Sequence, residues 1–141
     1  ESWTEIKTPL ERVLGDPSIL KLGVAVHEDV RKLVRDWELN VELKGKNGNG
    51  CLDICSLAKL ATTEPEQTQT KGEYGLKGLS KRFLDVHVSK KFKMTNWARY
   101  PLPAPSVEYA VRDAWLGVAI FEQLETQLGS QFVQKRFIHR Q

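Results

Sequence analysis

Between Leu22 and Val26 the chain reads Leu-Gly-Val-Ala-Val, the one compact apolar run with the pattern of a buried strand. A single strand cannot make a sheet, so this feature limits the fold more than any other. Around it the pattern is helical. Thr8, Pro9 and Glu11 read as a cap, a first-position proline and the end of a capping box, opening a short helix that stops near Gly15-Asp16-Pro17. Val30, Leu33, Val34 and Trp37 follow at i, i+3, i+4 and i+7. Lys44 to Gly50 carries three glycines and reads as a loop. Cys51-Leu52 fits a very short strand or turn, with Asp53 capping a helix through about Ala61. Thr62 to Gly72 has no apolar residue and reads as a flexible loop. Leu76, Leu79 and Phe83 mark another helix, and Lys90 to Arg99 is basic and irregular. Pro101, Pro103 and Pro105 stiffen the approach to the longest helix, about Ala104 to Leu128, with Gly129 where a C-terminal cap glycine belongs. The tail to Gln141 either extends that helix or packs back. The order is α/β in flavour but short of strands. Glu1, with no methionine before it, adds to the expectation of a chain cut from a longer one.

Composition excludes several classes. With 40% hydrophobic and 28% charged residues in 141, the chain is neither collagen-like nor disordered, nor a disulfide scaffold. No apolar run approaches the roughly 20 residues of a membrane span, so no membrane partner is expected. Net charge is +3, but its distribution is uneven. From Lys71 to Arg99 eight basic residues stand against Glu73 and Asp85, a net of +6, while the first seventy residues carry nine basic and twelve acidic groups, a net of −3. Such a split suits either a solvated lysine-rich surface or a protein that grips phosphates with one part and cations with another. Cys51 and Cys55, four apart, would share a face if helical. Two cysteines and three scattered histidines (His27, His87, His139) match no zinc spacing, which leaves two small buried thiols in a reducing, intracellular setting. Nuclear, cytoplasmic and mitochondrial locations are not distinguished.

Two stretches could carry chemistry. Tyr109 and Asp113 are four apart on the longest helix and so project from one face, one turn apart. Asp113 has small or apolar neighbours in Ala110, Ala114, Gly117 and Val118, where a carboxylate is costly unless paired or bound to a metal. The plainer alternative is an exposed Asp113 beside Arg112, with Tyr109 a half-buried aromatic. Asp29 falls just past the strand, in the first turn of the next helix. There a carboxylate is favoured by the helix dipole. A metal ligand at the C-terminal end of a strand is the other reading.

These stretches resemble a known family. Gly23-Val24-Ala25-Val26-x-x-Asp29-x-x-Lys32-Leu33 is similar to the second motif of the DEDD 3′-5′ exonucleases. Asn96-Trp97, Pro101-Leu102 and Tyr109-Ala110-x-x-Asp113-Ala114 are similar to the approach to their third motif. The Tyr-x3-Asp form marks the DEDDy branch, which includes ribonuclease D and the exonuclease domain of the Werner helicase. Gly75-Leu76-Lys77-Gly78-Leu79-Ser80 resembles the helix these proteins carry between the motifs, and Cys51-Leu52-Asp53-Ile54 their short Leu-Asp segment. The resemblance runs over about residues 5 to 128. It implies an α/β fold, a ribonuclease H-like mixed sheet with flanking helices whose opening strands are missing from this chain. It implies residues 1–129 as a partial exonuclease domain and residues 130–141 as a basic C-terminal tail. It also implies hydrolysis of DNA or RNA 3′ ends with two divalent ions, Mg2+ or Mn2+. Asp113 would hold the first metal, Asp29 the second directly or through water, and Tyr109 would orient the attacking water. Lys90, Lys91 and Lys93 are expected to contact the nucleic-acid backbone.

The family's first motif, Asp-x-Glu on an upstream strand, has no counterpart here. Only 28 residues precede Asp29, and Asp16 is followed by Pro17 and Ser18. Asp36-Trp37-Glu38 has the letters but follows the second motif on a helix. Pro103 stands where relatives carry a Ser or Thr cap. The expectation is an exonuclease domain that is weak or inactive as this piece and active within a longer parent with further domains. A non-catalytic nucleic-acid-binding or interaction module on the same fold is the alternative.

Overall fold

A computed structural model describes residues 3–45, 48–62, 72–89, 92 and 94–133. Helix α1 spans Trp3–Gly15, strand β1 Lys21–Gly23, helix α2 Val26–Asp36, strand β2 Cys51–Asp53 and helix α3 Ile54–Ala61. Helix α4 spans Leu76–Leu84, α5 Ala104–Leu128 and α6 Ser130–Val133. The two strands pair in parallel, with Lys21 opposite Cys51, Leu22 opposite Leu52 and Gly23 opposite Asp53. Alternation along β2 sends neighbouring side chains to opposite faces. Leu52 joins one core with Ile54, Leu57, Leu79, Ile120, Leu124 and Val133, drawn from α3, α4, α5 and α6. Cys51 joins the other with Leu14, Val30 and Leu39.

Local chemistry explains most boundaries. Asp53 caps α3 by accepting from the Cys55 N–H at 3.1 Å. Helix α5 follows Pro103 with no side-chain cap, and the Pro103 carbonyl instead accepts from the N–H groups of Ser106 and Val107. Leu116, Ile120 and Leu124, one turn apart, form its fully buried face. Gly129, at φ 85°, ends it. Val107, Val111, Trp115 and Val118 line a face of α5 that stays exposed.

Three expectations need correction. Helix α1 opens at Trp3, five residues before Thr8, and takes Pro9 into its interior. Its first turn is held by stacking of Trp3 on Trp37, ring centroids 4.7 Å apart. The strand read as Leu22–Val26 ends at Gly23. Ala25 adopts a left-handed conformation, φ 56°, and Val26 already belongs to α2. That conformation costs a non-glycine residue about 1–2 kcal/mol, and the Ala25 N–H offsets it by donating to Asp53 Oδ1 at 3.1 Å. The expectation of two buried thiols fails at Cys55: Cys51 sits on β2, the expected very short strand, while Cys55 on α3 is only partly covered. Both are free thiols, and only Cys51 is buried. Of the periodic positions in α2, Val30 is buried and Val34 packs on the same cluster, while Leu33 and Trp37 are exposed.

Much of the loop expected from Thr62 to Gly72, together with Lys90, Lys91 and Lys93, lies outside the described residues. So does the tail beyond residue 133, while Val133 itself is fully buried in the core. No helix among the described residues is long and apolar enough to cross a membrane.

Candidate active site

The site begins one turn into the exposed half of α5. Tyr109 and Asp113, at i and i+4, both line an open cavity of about 300 Å3. Its other walls come from Gly72, Gly75, Leu76 and Lys77 at the start of α4, and from Val88 and Ser89. Helix α4 packs along α5, so the α4 N-terminus faces this turn.

Tyr109 is fixed by aromatic and cationic neighbours. Its ring centroid lies 6.4 Å from that of Phe92 and 6.2 Å from that of Trp97. The Arg112 guanidinium stands 5.9 Å from the same ring. Burial pushes the Tyr109 phenol above its ordinary pKa, hydrogen bonding to Asp113 and the nearby Asp113 charge push the same way, and Arg112 opposes them. The phenol is therefore a neutral hydroxyl at physiological pH, able to donate and to accept.

Asp113 is half-buried, and its Oδ1 is buried without a hydrogen-bond partner. A buried carboxylate oxygen left unpaired is costly, and proteins keep such atoms where something else satisfies them. Hard carboxylate oxygens are the donors that Mg2+ and Mn2+ prefer. Asp113 thus fits a divalent metal ion.

Asp29 occupies the first turn of α2 and is exposed. It lines a separate shallow cavity of about 340 Å3 with Lys32, Leu33, Asp36 and Trp37. The structure brings Tyr109 and Asp113 together and leaves Asp29 outside their cavity. Among the described residues, no three His, Cys, Asp or Glu side chains group as a metal site.

Sequence reading missed three features here. Phe92 and Trp97 brace Tyr109, although Trp97 is still 44% exposed. Lys77 lines the same cavity as Asp113. Asp53 bonds Ala25, 28 residues earlier. Only the resemblance of the Leu-Asp segment could have singled out Asp53, since no local spacing joins it to Ala25.

Two parallel strands with helices on both faces, the longest helix carrying a Tyr-x3-Asp turn, define an α/β domain. The chain belongs to the 3′-5′ exonuclease family, whose domain model matches residues 2–129. Human exonuclease 3′-5′ domain-containing protein 2 is 35% identical over 114 residues, 79% of this chain and 17% of that protein. The crystal structure of the Aedes aegypti Nibbler EXO domain superposes with TM-score 0.67 at 23% identity, over 84% of this chain and 56% of that one, and shares the fold. The EXD2 exonuclease domain crystal soaked in Mn and Mg is 30% identical over 92% of this chain and 60% of that chain, with TM-score 0.40. The chain spans a third or less of the length of the first curated relatives it matches.

Proposed function

We propose that this chain supplies the Asp29, Tyr109 and Asp113 part of a 3′-5′ exonuclease site that hydrolyses the 3′-terminal phosphodiester of DNA or RNA. The observation that carries the reading is the α5 turn, where a neutral phenol and a carboxylate with a buried, unpartnered oxygen face one open cavity. Asp113 and Asp29 would hold Mg2+ or Mn2+. When bound, paired divalent ions stabilise the attacking and leaving oxygens of an in-line displacement. Tyr109 holds its proton and can hydrogen-bond the attacking water, while Phe92 and Trp97 keep the ring from swinging away. Lys77 lines the cavity wall, and its charge supports a contact with a backbone phosphate.

The basic residues Lys90, Lys91 and Lys93 are proposed as further phosphate contacts, on the strength of their charge and their place just before Asn96-Trp97. A reducing intracellular compartment is proposed from the free thiols of Cys51 and Cys55.

The test is release of mononucleotides from 3′-labelled single-stranded DNA and RNA by the full-length parent protein in Mg2+ or Mn2+. Asp113→Asn and Asp29→Asn should abolish release. Tyr109→Phe should lower it on the order of a hundredfold, as expected when one oriented hydrogen-bonding group is lost. A parent protein that binds 3′ ends tightly but never cuts them, with or without these carboxylates, would establish the non-catalytic binding module instead.

A further inference from the structure

We propose that Asp53 is a positioning residue for the site: its carboxylate reaches across the C-terminal ends of the two strands to lock the Ala25 corner and so sets the direction in which α2 presents Asp29. The inference rests on the reading of Asp29 as a site carboxylate. Asp53 lies opposite Gly23 in the sheet. From there Oδ1 accepts two hydrogen bonds at 3.1 Å, one from the Ala25 N–H and one from the Cys55 N–H. Oδ2 accepts from the Ser56 hydroxyl at 2.9 Å. One carboxylate thereby fixes the start of α3 and the turn out of β1 together.

The Ala25 bond is the informative one. Capping α3 needs only the Cys55 N–H, so the bond to Ala25 is additional. It falls on a residue at φ 56°, a conformation that alanine rarely adopts unaided. Ala25 is the residue before the first turn of α2, and no side chain of its own caps that helix. Asp29 is in that first turn. With the Asp53 carboxylate removed, the Ala25 N–H loses its acceptor and the corner is free to return to an ordinary backbone conformation. Rotation there turns the whole first turn of α2, and with it the Asp29 side chain.

The experiment titrates Mn2+ into the full-length parent protein, following the free ion by electron paramagnetic resonance, with hydrolysis measured in parallel. Asp53→Ala should weaken Mn2+ binding by about tenfold or more, the usual size for loss of a group that orients a metal ligand. Asp53→Asn keeps an oxygen for both amides and should stay near the parent value. Ser56→Ala removes only the Oδ2 bond and should leave binding unchanged. Ala25→Gly, which suits a left-handed corner without support, should restore part of the affinity in the Asp53→Ala background. Unchanged Mn2+ affinity in a folded Asp53→Ala protein overturns the inference, as does failure of both Asp53→Asn and Ala25→Gly to recover it. Should Asp29→Asn itself leave Mn2+ binding and hydrolysis intact, the proposed role of Asp29 falls, and this inference falls with it.

Discussion

Gly117 on α5 faces the backbone carbonyl of Leu22 on β1, with 3.5 Å between that oxygen and the place a Cβ would occupy. The longest helix is thereby seated directly on the strand. A methyl group fits at ordinary contact, and alanine is the better helix former by about 1 kcal/mol. Gly117→Ala should therefore leave stability unchanged or raise it by up to about 1 kcal/mol. Gly117→Leu should lower it by about 1–3 kcal/mol by prising α5 off β1. Urea denaturation of the two variants decides this, and equal midpoints would refute the close seating.

Gly50 permits no such change. Its φ is +70°, and a Cβ there would lie 2.4 Å from the Ile19 carbonyl oxygen. The Gly50 carbonyl also accepts the Lys21 N–H at 2.8 Å, where β1 begins. Gly50→Ala should cost at least about 2 kcal/mol, combining left-handed strain with a backbone clash. A thermal melt within a degree of the parent would contradict it.

Asp113→Asn should separate stability from activity. The unpartnered Oδ1 is a burden on the metal-free fold. Neutralising the side chain should stabilise the metal-free protein by on the order of 1 kcal/mol while abolishing hydrolysis. Calorimetry in a chelator checks the first half, and a loss of stability would place Asp113 in a structural role.

Tyr109 sets a limit at high pH. Its folded-state pKa is raised, so between the unfolded and folded values the native state holds a proton that the unfolded chain has lost. The stability this contributes is full below the unfolded tyrosine value, near 10, and is lost as pH rises through the folded value. Tyr109→Phe should flatten that part of the pH–stability curve. An identical alkaline slope in both proteins would show that Tyr109 does not carry the effect.

Strongly punctuated segments were legible from residue order alone. Proline before Ala104 and glycine after Leu128 bracket α5 as expected, and Asp53 caps a helix that runs to Ala61. Local chemistry decides those ends, so a local reading finds them. The apolar run at Leu22 outlasts its strand, because it continues through a corner held by a carboxylate 28 residues away. The start of α1 is not set locally, since the Trp3–Trp37 contact that anchors its first turn joins two distant parts of the chain. Tyr109 and Asp113 could be paired by helical spacing, which is a short-range rule. Whether Asp29 shares their cavity depends on how α2 and α5 sit around β1, and no spacing encodes that.

The Trp3–Trp37 stack has an optical consequence. Two indoles 4.7 Å apart and tilted by 36° are close enough for their excited states to mix. Circular dichroism at the strong far-ultraviolet indole band should carry a signed couplet from this pair. Its loss would report α1 lifting off α2, a separation that leaves helix content, and so the peptide bands, unchanged.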